Sequence, residues 1–275
     1  MPSRTWLITG CSAGFGHEIG AAALAVGDTV VATARRPEAL EDLVAAGAHA
    51  VALDVTDPQA IRRAVDETLE RVGRVDVLVN NAGYGSVGAV EELTMDELRA
   101  LCEVMFFGAV ELTKAVLPHM REQRSGTIVQ ISSMGGQVTY PGYGAYCASK
   151  HALEGLSTAL AEEVAPFGIR VLIVEPGAFR TEFGGARMHR SRTIDAYEVS
   201  TAATRQAVED MDQTQPGDPA KAARAIVRAV AAHDAPLRLA LGRDAVEAIG
   251  AELDRRRSDL EAWEAVSLDT ALEGA

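Results

Sequence analysis

Tyr146 and Lys150 stand four residues apart in a stretch with the hydrophobic spacing of a helix. On a helix, this separation puts both side chains on one face, with about 5–6 Å between their Cβ atoms. A lysine ammonium beside a phenol stabilises the phenolate, so we predict that Lys150 lowers the pKa of Tyr146 below its ordinary value of about 10. A tyrosine shifted in this way could donate or accept a proton at neutral pH. A surface helical pair has the same spacing, so the assignment depends on the rest of the chain.

Ser133 lies 13 residues before Tyr146 and follows the apolar run Thr127–Ile131. We interpret this run as a buried strand, which places Ser133 at the carboxyl end of a strand. Ligands bind at such ends in open α/β sheets. A turn cap is the alternative interpretation of this serine.

The elements that must position these residues are short apolar strands that alternate with helices. The predicted strands are Thr5–Thr9, Thr29–Ala34, Ala50–Leu53, Val75–Val79, Thr127–Ile131, Arg170–Val174 and Leu237–Leu241. Helical patterns lie between them, including the long stretches Thr94–Met120 and Tyr146–Ala165. Such alternation predicts a doubly wound, Rossmann-type parallel sheet of about seven strands with helices on both faces.

No linker or repeat divides the chain, so we predict a single domain over residues 1–275. Residues 178 to about 215 show no clean period, and we interpret about 182–204 as a lid. A charged amphipathic helix and a tail follow over about 244–275.

A glycine turn connects the first strand to the first helix, with glycines at Gly10, Gly14 and Gly16. Glycine allows a sharp turn and lets a pyrophosphate approach the helix N-terminus, so we predict a dinucleotide site. The second strand ends at Ala34 and is followed by Arg35 and Arg36. A carboxylate there would bind the ribose of NAD, whereas two guanidiniums can hold the 2′-phosphate of NADP(H), which we therefore favour over NAD(H). Two solvated arginines are the alternative.

Composition restricts the class of partner. The chain has 275 residues, with 39 acidic and 26 basic side chains and a formal charge of −13, which disfavours nucleic acid and anionic membranes. Its three cysteines are irregularly spaced, which argues against disulfides or a metal site and fits a reducing cytosol. No apolar stretch reaches about 18 residues, and no signal-peptide pattern is present, so we expect a cytoplasmic protein without a membrane segment.

Five motifs follow one another along residues 4 to about 181. They are TGxxxGxG at Thr9–Gly16, NNAG at Asn80–Gly83, the serine Ser133, YxxxK at Tyr146 and Lys150, and PGxxxT at Pro176–Thr181. In this order and spacing, the chain resembles the short-chain dehydrogenases/reductases (SDR).

The resemblance implies a catalytic set of Ser133, Tyr146 and Lys150. Ser133 would bind the substrate oxygen, Tyr146 would transfer the proton, and Lys150 would bind the nicotinamide ribose. The positions implied or predicted for cofactor binding are Gly10, Ser12, Gly14, Phe15, Gly16, Arg35, Arg36, Asp54, Val55, Asn81, Ala82, Gly83, Tyr146, Lys150, Pro176, Gly177 and Thr181. At the end of the third strand, Asp54 could accept a hydrogen bond from adenine, with helix capping as the alternative.

One position departs from the family pattern. An N-x-x-G pattern is usual before the glycine that aligns with Gly108, and Met105 stands at the asparagine position. In the family, that asparagine shapes a helix kink, and its main-chain carbonyl holds a water bound to the lysine. Methionine retains the carbonyl but has no amide, so we expect activity that is present but reduced.

The predicted substrate wall is apolar and comprises Met134, Tyr140, Tyr143, Phe179 and Phe183, with Val138 and Tyr84 as further candidates. Such a wall suits a hydrophobic ketone or aldehyde and its alcohol. An epimerase or dehydratase on the same fold and a non-enzymatic dinucleotide sensor are the alternatives. The long helices 94–120 and 146–165 are expected to pair between subunits, giving a homodimer or homotetramer.

Overall fold

A central parallel sheet dominates the computed structural model, which describes residues 3–185, 188–211 and 214–272. Its strands are β1 (Thr5–Ile8), β2 (Thr29–Ala34), β3 (His49–Ala52), β4 (Val77–Asn80), β6 (Gly126–Ile131), β7 (Ile169–Pro176) and β9 (Arg238–Leu241). Over the described ranges they form a seven-stranded sheet in the order β3-β2-β1-β4-β6-β7-β9. Two short strands, β5 (Ser86–Val87) and β8 (His189–Arg190), pair separately. The prediction of a parallel sheet of about seven strands is confirmed.

Helices cover both faces of this sheet. They are α1 (Gly14–Ala25), α2 (Glu41–Ala45), α3 (Pro58–Val72), α4 (Met95–Cys102), α5 (Gly108–Gln123), α6 (Gly144–Val164), α7 (Glu198–Asp210), α8 (Pro219–Ala231), α9 (Arg243–Ala262) and α10 (Glu264–Leu268). One core contains side chains of α1, α2 and α8, and the other contains side chains of α3, α5 and α6. Alternate residues of each central strand enter opposite cores, as Trp6 and Leu7 do, which explains the continuous apolar runs in the sequence.

Local signals set the start and end of α3. The Asp57 carboxylate accepts a hydrogen bond from the Gln59 amide at 2.8 Å, and Pro58 occupies the first helical position. Gly73 ends the helix with a φ of 77°, a conformation that glycine adopts without steric cost. Residues at its two ends therefore determine where the crossover helix between β3 and β4 begins and ends.

The predicted helix Thr94–Met120 is interrupted. A π-helical turn, Glu103–Phe107, separates α4 from α5. Just after it, Gly108 packs against the main chain of Val55, and a Cβ added at Gly108 would lie 2.6 Å from the Val55 carbonyl oxygen. The apolar spacing continues through the turn, so sequence periodicity alone predicted one helix.

The predicted lid contains more regular structure than expected. The whole of α7 lies in the range 178 to about 215, where the sequence shows no clean period, because only Thr201 and Val208 of this helix are buried. Residues 186–187 of the predicted lid and 273–275 of the predicted tail lie outside the described residues.

The lid is attached to the segment before α4 through a buried carboxylate. Glu92 is 1% exposed and accepts hydrogen bonds from the amides of Ala89 and Ile194 at 2.6 and 2.8 Å. Arg205 of α7 forms an ion pair with the same carboxylate. These contacts join the lid to the rim of the sheet.

None of the helices in the described part of the chain is long and apolar enough to cross a bilayer. The same ranges contain no group of three or more His, Cys, Asp or Glu side chains arranged to hold a metal ion.

Candidate active site

A cavity of about 1110 Å³ lies beside the sheet. It includes residues that follow β1, β4, β6 and β7, and the sheet order reverses between β1 and β4, where doubly wound folds bind ligands. The predicted residues on its wall are Gly10, Ser12, Gly14, Phe15, Arg35, Arg36, Asp54, Val55, Asn81, Ala82, Gly83, Met105, Ser133, Met134, Tyr140, Tyr143, Tyr146, Lys150, Pro176, Gly177, Phe179, Thr181 and Phe183. With the exceptions of Gly16 and the buried Val138, the structure thus brings the predicted catalytic, cofactor and substrate positions to one cavity.

Gly16 is the predicted cofactor residue that does not line the cavity. A Cβ added there would lie 2.5 Å from both the Asn81 side chain and the Gly10 carbonyl oxygen. Its hydrogen therefore allows the start of α1 to pack against the loop after β4.

A polar network fixes the glycine turn. The Thr9 hydroxyl accepts hydrogen bonds from the amides of Asn81 and Ala82 at 2.8 and 2.9 Å. The Asn81 side-chain amide donates to the Thr9 carbonyl at 2.8 Å and to the Gly10 carbonyl at 3.3 Å. Gly10 has a φ of 70°, which favours glycine. The turn is therefore held in shape by the protein itself.

Ser133, Tyr146 and Lys150 meet at the carboxyl end of β6. A Cβ added at Gly135 would be 3.2 Å from the Tyr146 ring and 3.4 Å from Ser133 Oγ, so these two side chains converge on one glycine. Ser133 Oγ accepts from the Gly135 amide at 3.0 Å. Lys150 Nζ donates to the Ile131 carbonyl at 2.8 Å and lies 5.9 Å from the centre of the Tyr146 ring.

Burial controls the acidity of both groups. It raises the pKa of Tyr146 well above its ordinary value, and the Ser133 hydroxyl beside it acts in the opposite direction. It lowers the pKa of Lys150 to about 8, against the effect of the Glu154 charge. The prediction that Lys150 gives Tyr146 a low pKa is therefore wrong for the protein alone. Lys150 donates a hydrogen bond to the Ile131 carbonyl, and the loss of water around the Tyr146 phenol has the largest effect on its pKa.

The far end of the cavity carries the two arginines after β2. Arg35 and Arg36 are exposed, line the cavity and form no ion pair with a described residue. Asp54 does not cap α3, since Asp57 occupies that position. Its Oδ1 accepts from the Thr56 amide at 3.0 Å and from the Thr56 hydroxyl at 2.8 Å. Oδ2 has no such bond among the described residues, and Asp54 lies on the wall as predicted.

Met105 lies within the π-helical turn and is 2% exposed. A small cavity of about 10 Å³ lies beside it, bordered also by Thr9, Asn80 and Lys150. That volume is about one water probe. The helix distortion is thus present with methionine in place of asparagine, and a one-water space adjoins the lysine.

Several residues on the substrate side were not predicted. They come mainly from α7 and the segments around it and comprise Met188, Ala203, Thr204, Ala207, Val208, Met211 and Gln215. Their contribution depends on how the lid folds over the sheet, and no local motif marks them. Phe183, which was predicted, contacts Tyr146 edge to face, with 5.5 Å between ring centres.

Two buried carboxylates lie behind Ser132, the neighbour of Ser133. Glu154 accepts from the Ser132 hydroxyl at 2.6 Å, and Gln137 donates to both Glu154 and Glu175. Arg238 Nε lies 3.3 Å from the Glu154 carboxylate and 3.6 Å from that of Glu175. Burial, together with the Glu154 charge, raises the pKa of Glu175 to about 7. This cluster ties α6, β7 and β9 to the serine loop.

Comparisons with known proteins agree with this geometry. A family model described as short chain dehydrogenase matches residues 4–191. Oxidoreductase BOA17 of Botryotinia fuckeliana is 40% identical over 273 residues, covering 98% of this chain and 100% of the relative. A 3-ketodihydrosphingosine reductase of Bacteroides thetaiotaomicron is 38% identical and covers 88% of this chain and 89% of its own length.

Solved structures of dehydrogenases also resemble this chain. The crystal structure of a short-chain dehydrogenase from Streptomyces avermitilis is 54% identical, with a TM-score of 0.94 over 98% of this chain and 100% of that one. An alcohol dehydrogenase from Thermococcus sibiricus, solved with 5-hydroxy-NADP, is 25% identical, with a TM-score of 0.73 over 87% of this chain and 96% of that one.

Proposed function

Because the chain belongs to the short-chain dehydrogenase family of oxidoreductases, we propose that it interconverts a hydrophobic ketone or aldehyde and its alcohol with NADP(H). The observation that supports this best is the convergence of Ser133, Tyr146 and Lys150 on one large, mostly apolar cavity. The cofactor supplies the hydride, and the protein supplies position and proton transfer. We propose that residues 1–275 act as one catalytic unit.

In this proposal, Tyr146 is the general acid during reduction. The Tyr146 phenol is protonated at neutral pH, so it has a proton to donate to the alkoxide as it forms. Ser133 Oγ donates a hydrogen bond to the same oxygen and holds the carbonyl near the phenol. Lys150 then returns a proton towards Tyr146, and a pKa of about 8 lets it exchange that proton near neutral pH.

The residues around the glycine turn fit a dinucleotide. Gly10, Gly14 and the start of α1 leave space for a pyrophosphate, and α1 has no acidic residue in its first turn. Arg35 and Arg36 line the cavity after β2, are exposed and form no ion pair with a described residue, which supports a role in holding a 2′-phosphate. We therefore propose NADP(H) rather than NAD(H).

The substrate side favours a bulky apolar molecule. Aromatic, aliphatic and methionine side chains form most of its wall, including Tyr140, Tyr143, Phe183 and Met188. The Bacteroides relative is named a 3-ketodihydrosphingosine reductase, so a ketone is its named substrate. We propose an apolar ketone for this chain, without assigning that compound.

Turnover of a panel of apolar ketones with NADPH tests the reaction. We expect Tyr146→Phe to reduce kcat at least about 100-fold while NADPH binding is retained, because general acid catalysis contributes about 10²–10⁴-fold. Tyr197→Phe is the matched control. Tyr197 is a lid residue whose hydroxyl bonds to Glu91 outside the lid, and it does not line the cavity. Equal rates for wild type and Tyr146→Phe would contradict the proposal, and NADPH binding without net oxidation would favour a sensor or an epimerase.

Cofactor preference is tested separately by the ratio of NADH to NADPH dissociation constants. Arg35→Asp should lower this ratio by about 10-fold or more, because it removes a charge-assisted contact and adds a repulsive charge. Arg62→Asp changes the net charge equally at an exposed position on α3 and should leave the ratio unchanged. An unchanged ratio in Arg35→Asp and in Arg36→Asp would overturn the assignment.

We further propose that the enzyme is cytoplasmic and forms a homodimer or homotetramer through the α4–α5 segment and α6. The formal charge of −13 supports a small-molecule substrate rather than nucleic acid or an anionic membrane.

A further inference from the structure

Gln215 is a polar residue in the apolar part of the cavity wall. It follows α7 on the lid side and is 5% exposed. Its Oε1 is covered and has no hydrogen-bond partner within the described ranges. Most buried side-chain polar atoms in proteins are paired, so an unpaired buried amide needs an explanation.

The main chain around Gln215 is fixed to the segment after β7. The Arg180 amide donates to the Gly217 carbonyl at 2.9 Å, and the Gly217 amide donates to the Ala178 carbonyl at 3.1 Å. The Arg180 guanidinium also donates to the Gln215 carbonyl at 3.3 Å. These bonds hold the residue beside the cavity, so its burial follows from the fold of the lid.

The segment Phe183–Gly184 lies between the Gln215 side chain and the proposed catalytic tyrosine. A Cβ added at Gly184 would lie 3.5 Å from Gln215 Nε2. The preceding residue, Phe183, contacts the Tyr146 ring. A substrate whose carbonyl is at Tyr146 and which extends past Phe183 would reach the amide.

Either the oxygen or the nitrogen of the Gln215 side-chain amide can form a hydrogen bond with such a substrate. Rotation about the terminal bond exchanges Oε1 and Nε2, so the group that faces the cavity can accept from a hydroxyl or donate to an oxygen. Most cavity residues of α7 and the segment after it, such as Val208, Met211 and Ala207, offer no hydrogen-bonding side chain, whereas Thr204 and Glu182 on the same side are polar.

We propose that Gln215 determines specificity by binding a second oxygen of the substrate, remote from the reacting carbonyl. The inference rests on the proposed function and narrows the substrate class to an apolar ketone or alcohol that carries a further hydroxyl or carbonyl group. Substrates without this oxygen bind with the amide unpaired and are therefore disfavoured.

Binding of a matched series tests the assignment without requiring turnover. The probes are 2-acetylnaphthalene and its 5-, 6- and 7-hydroxy derivatives, and calorimetry gives their dissociation constants with and without NADP⁺. We expect at least one hydroxy isomer to bind wild type about 10-fold more tightly than the plain ketone. Gln215→Met should abolish that preference while it leaves binding of the plain ketone unchanged or stronger.

Gln206→Met is the control, because Gln206 is exposed on α7 and bonds only to Asp210 among the described residues. It should retain the preference of wild type. The proposal is overturned if no hydroxy isomer is preferred, or if the preference persists in Gln215→Met. A preference for a hydroxy isomer that Gln215→Met abolishes, with no oxidation of NADPH by wild type, would support the Gln215 site and reject the reductase function.

Discussion

Glu175→Gln should make the protein more stable at neutral and alkaline pH. Glu175 is 2% exposed and shares Gln137 and Arg238 with the buried Glu154 carboxylate. Burial and the Glu154 charge raise the pKa of Glu175 from 4.5 to about 7, so the fold favours its protonated form. Glutamine has the shape of that neutral acid and keeps an oxygen for the Gln137 amide.

The size of the effect follows from the pKa difference. Each pKa unit corresponds to about 1.36 kcal/mol, so the ionised Glu175 costs the fold about 3 kcal/mol at high pH. For a carboxyl with a raised pKa, the unfolded chain releases its proton first. The stabilising contribution of the protonated form is therefore complete below the unfolded value of 4.5 and is lost as the pH rises through about 7.

Urea unfolding at several pH values measures this directly. From about pH 5.5 to about pH 8.5, the stability of Glu175→Gln relative to wild type should increase by about 2 kcal/mol. Glu247→Gln, at an exposed position on α9, controls for the loss of a negative charge. If Glu175→Gln follows the same pH dependence as wild type, or is less stable than wild type at about pH 8.5, the assignment of a raised pKa to Glu175 beside the Glu154 charge is refuted.

Three other predictions concern the proton path, the lid and the assembly. Met105→Asn should raise kcat several-fold in steady-state assays, because it restores an amide at this position; an unchanged kcat would mean that the π-helical turn and the one-water space beside it already serve proton return. Arg205→Met leaves the buried Glu92 carboxylate without its cation, so limited proteolysis should cut the lid faster than in wild type, at a local cost of about 1–3 kcal/mol. Light scattering should give a mass of two or four chains, and a mass of 29.0 kDa would contradict the proposed oligomer.

Sequence reasoning identified residues that the structure brings together in one cavity because the information about them is local. The spacing of Tyr146 and Lys150 fixes one helix face, and Ser133 follows a strand whose apolar run is unmistakable. The alternation of strands and helices then brings strand ends together at one edge of the sheet. These features can be recognised in the sequence without knowing how the lid folds.

The parts that sequence reasoning missed depend on tertiary environment. The pKa of Tyr146 is set by how much water the folded chain excludes, which spacing to Lys150 does not reveal. Gln215 belongs to the cavity because the chain at Gly217 is hydrogen-bonded to the segment after β7, and α7 buries too few side chains to give a periodic pattern. The π-helical turn leaves the apolar pattern of its helix intact.

The bonded turn between β1 and α1 has a kinetic consequence. The Asn81 side chain holds the Thr9 and Gly10 carbonyls of this turn, and the Thr9 hydroxyl binds the Asn81 and Ala82 amides of the loop after β4, so much of the turn's backbone entropy has already been lost on folding. Ordering a comparable flexible loop on binding would cost about 1–2 kcal/mol per residue. Capture of a dinucleotide by this turn should therefore proceed in one step, at a rate proportional to ligand concentration, without a plateau set by slow loop closure.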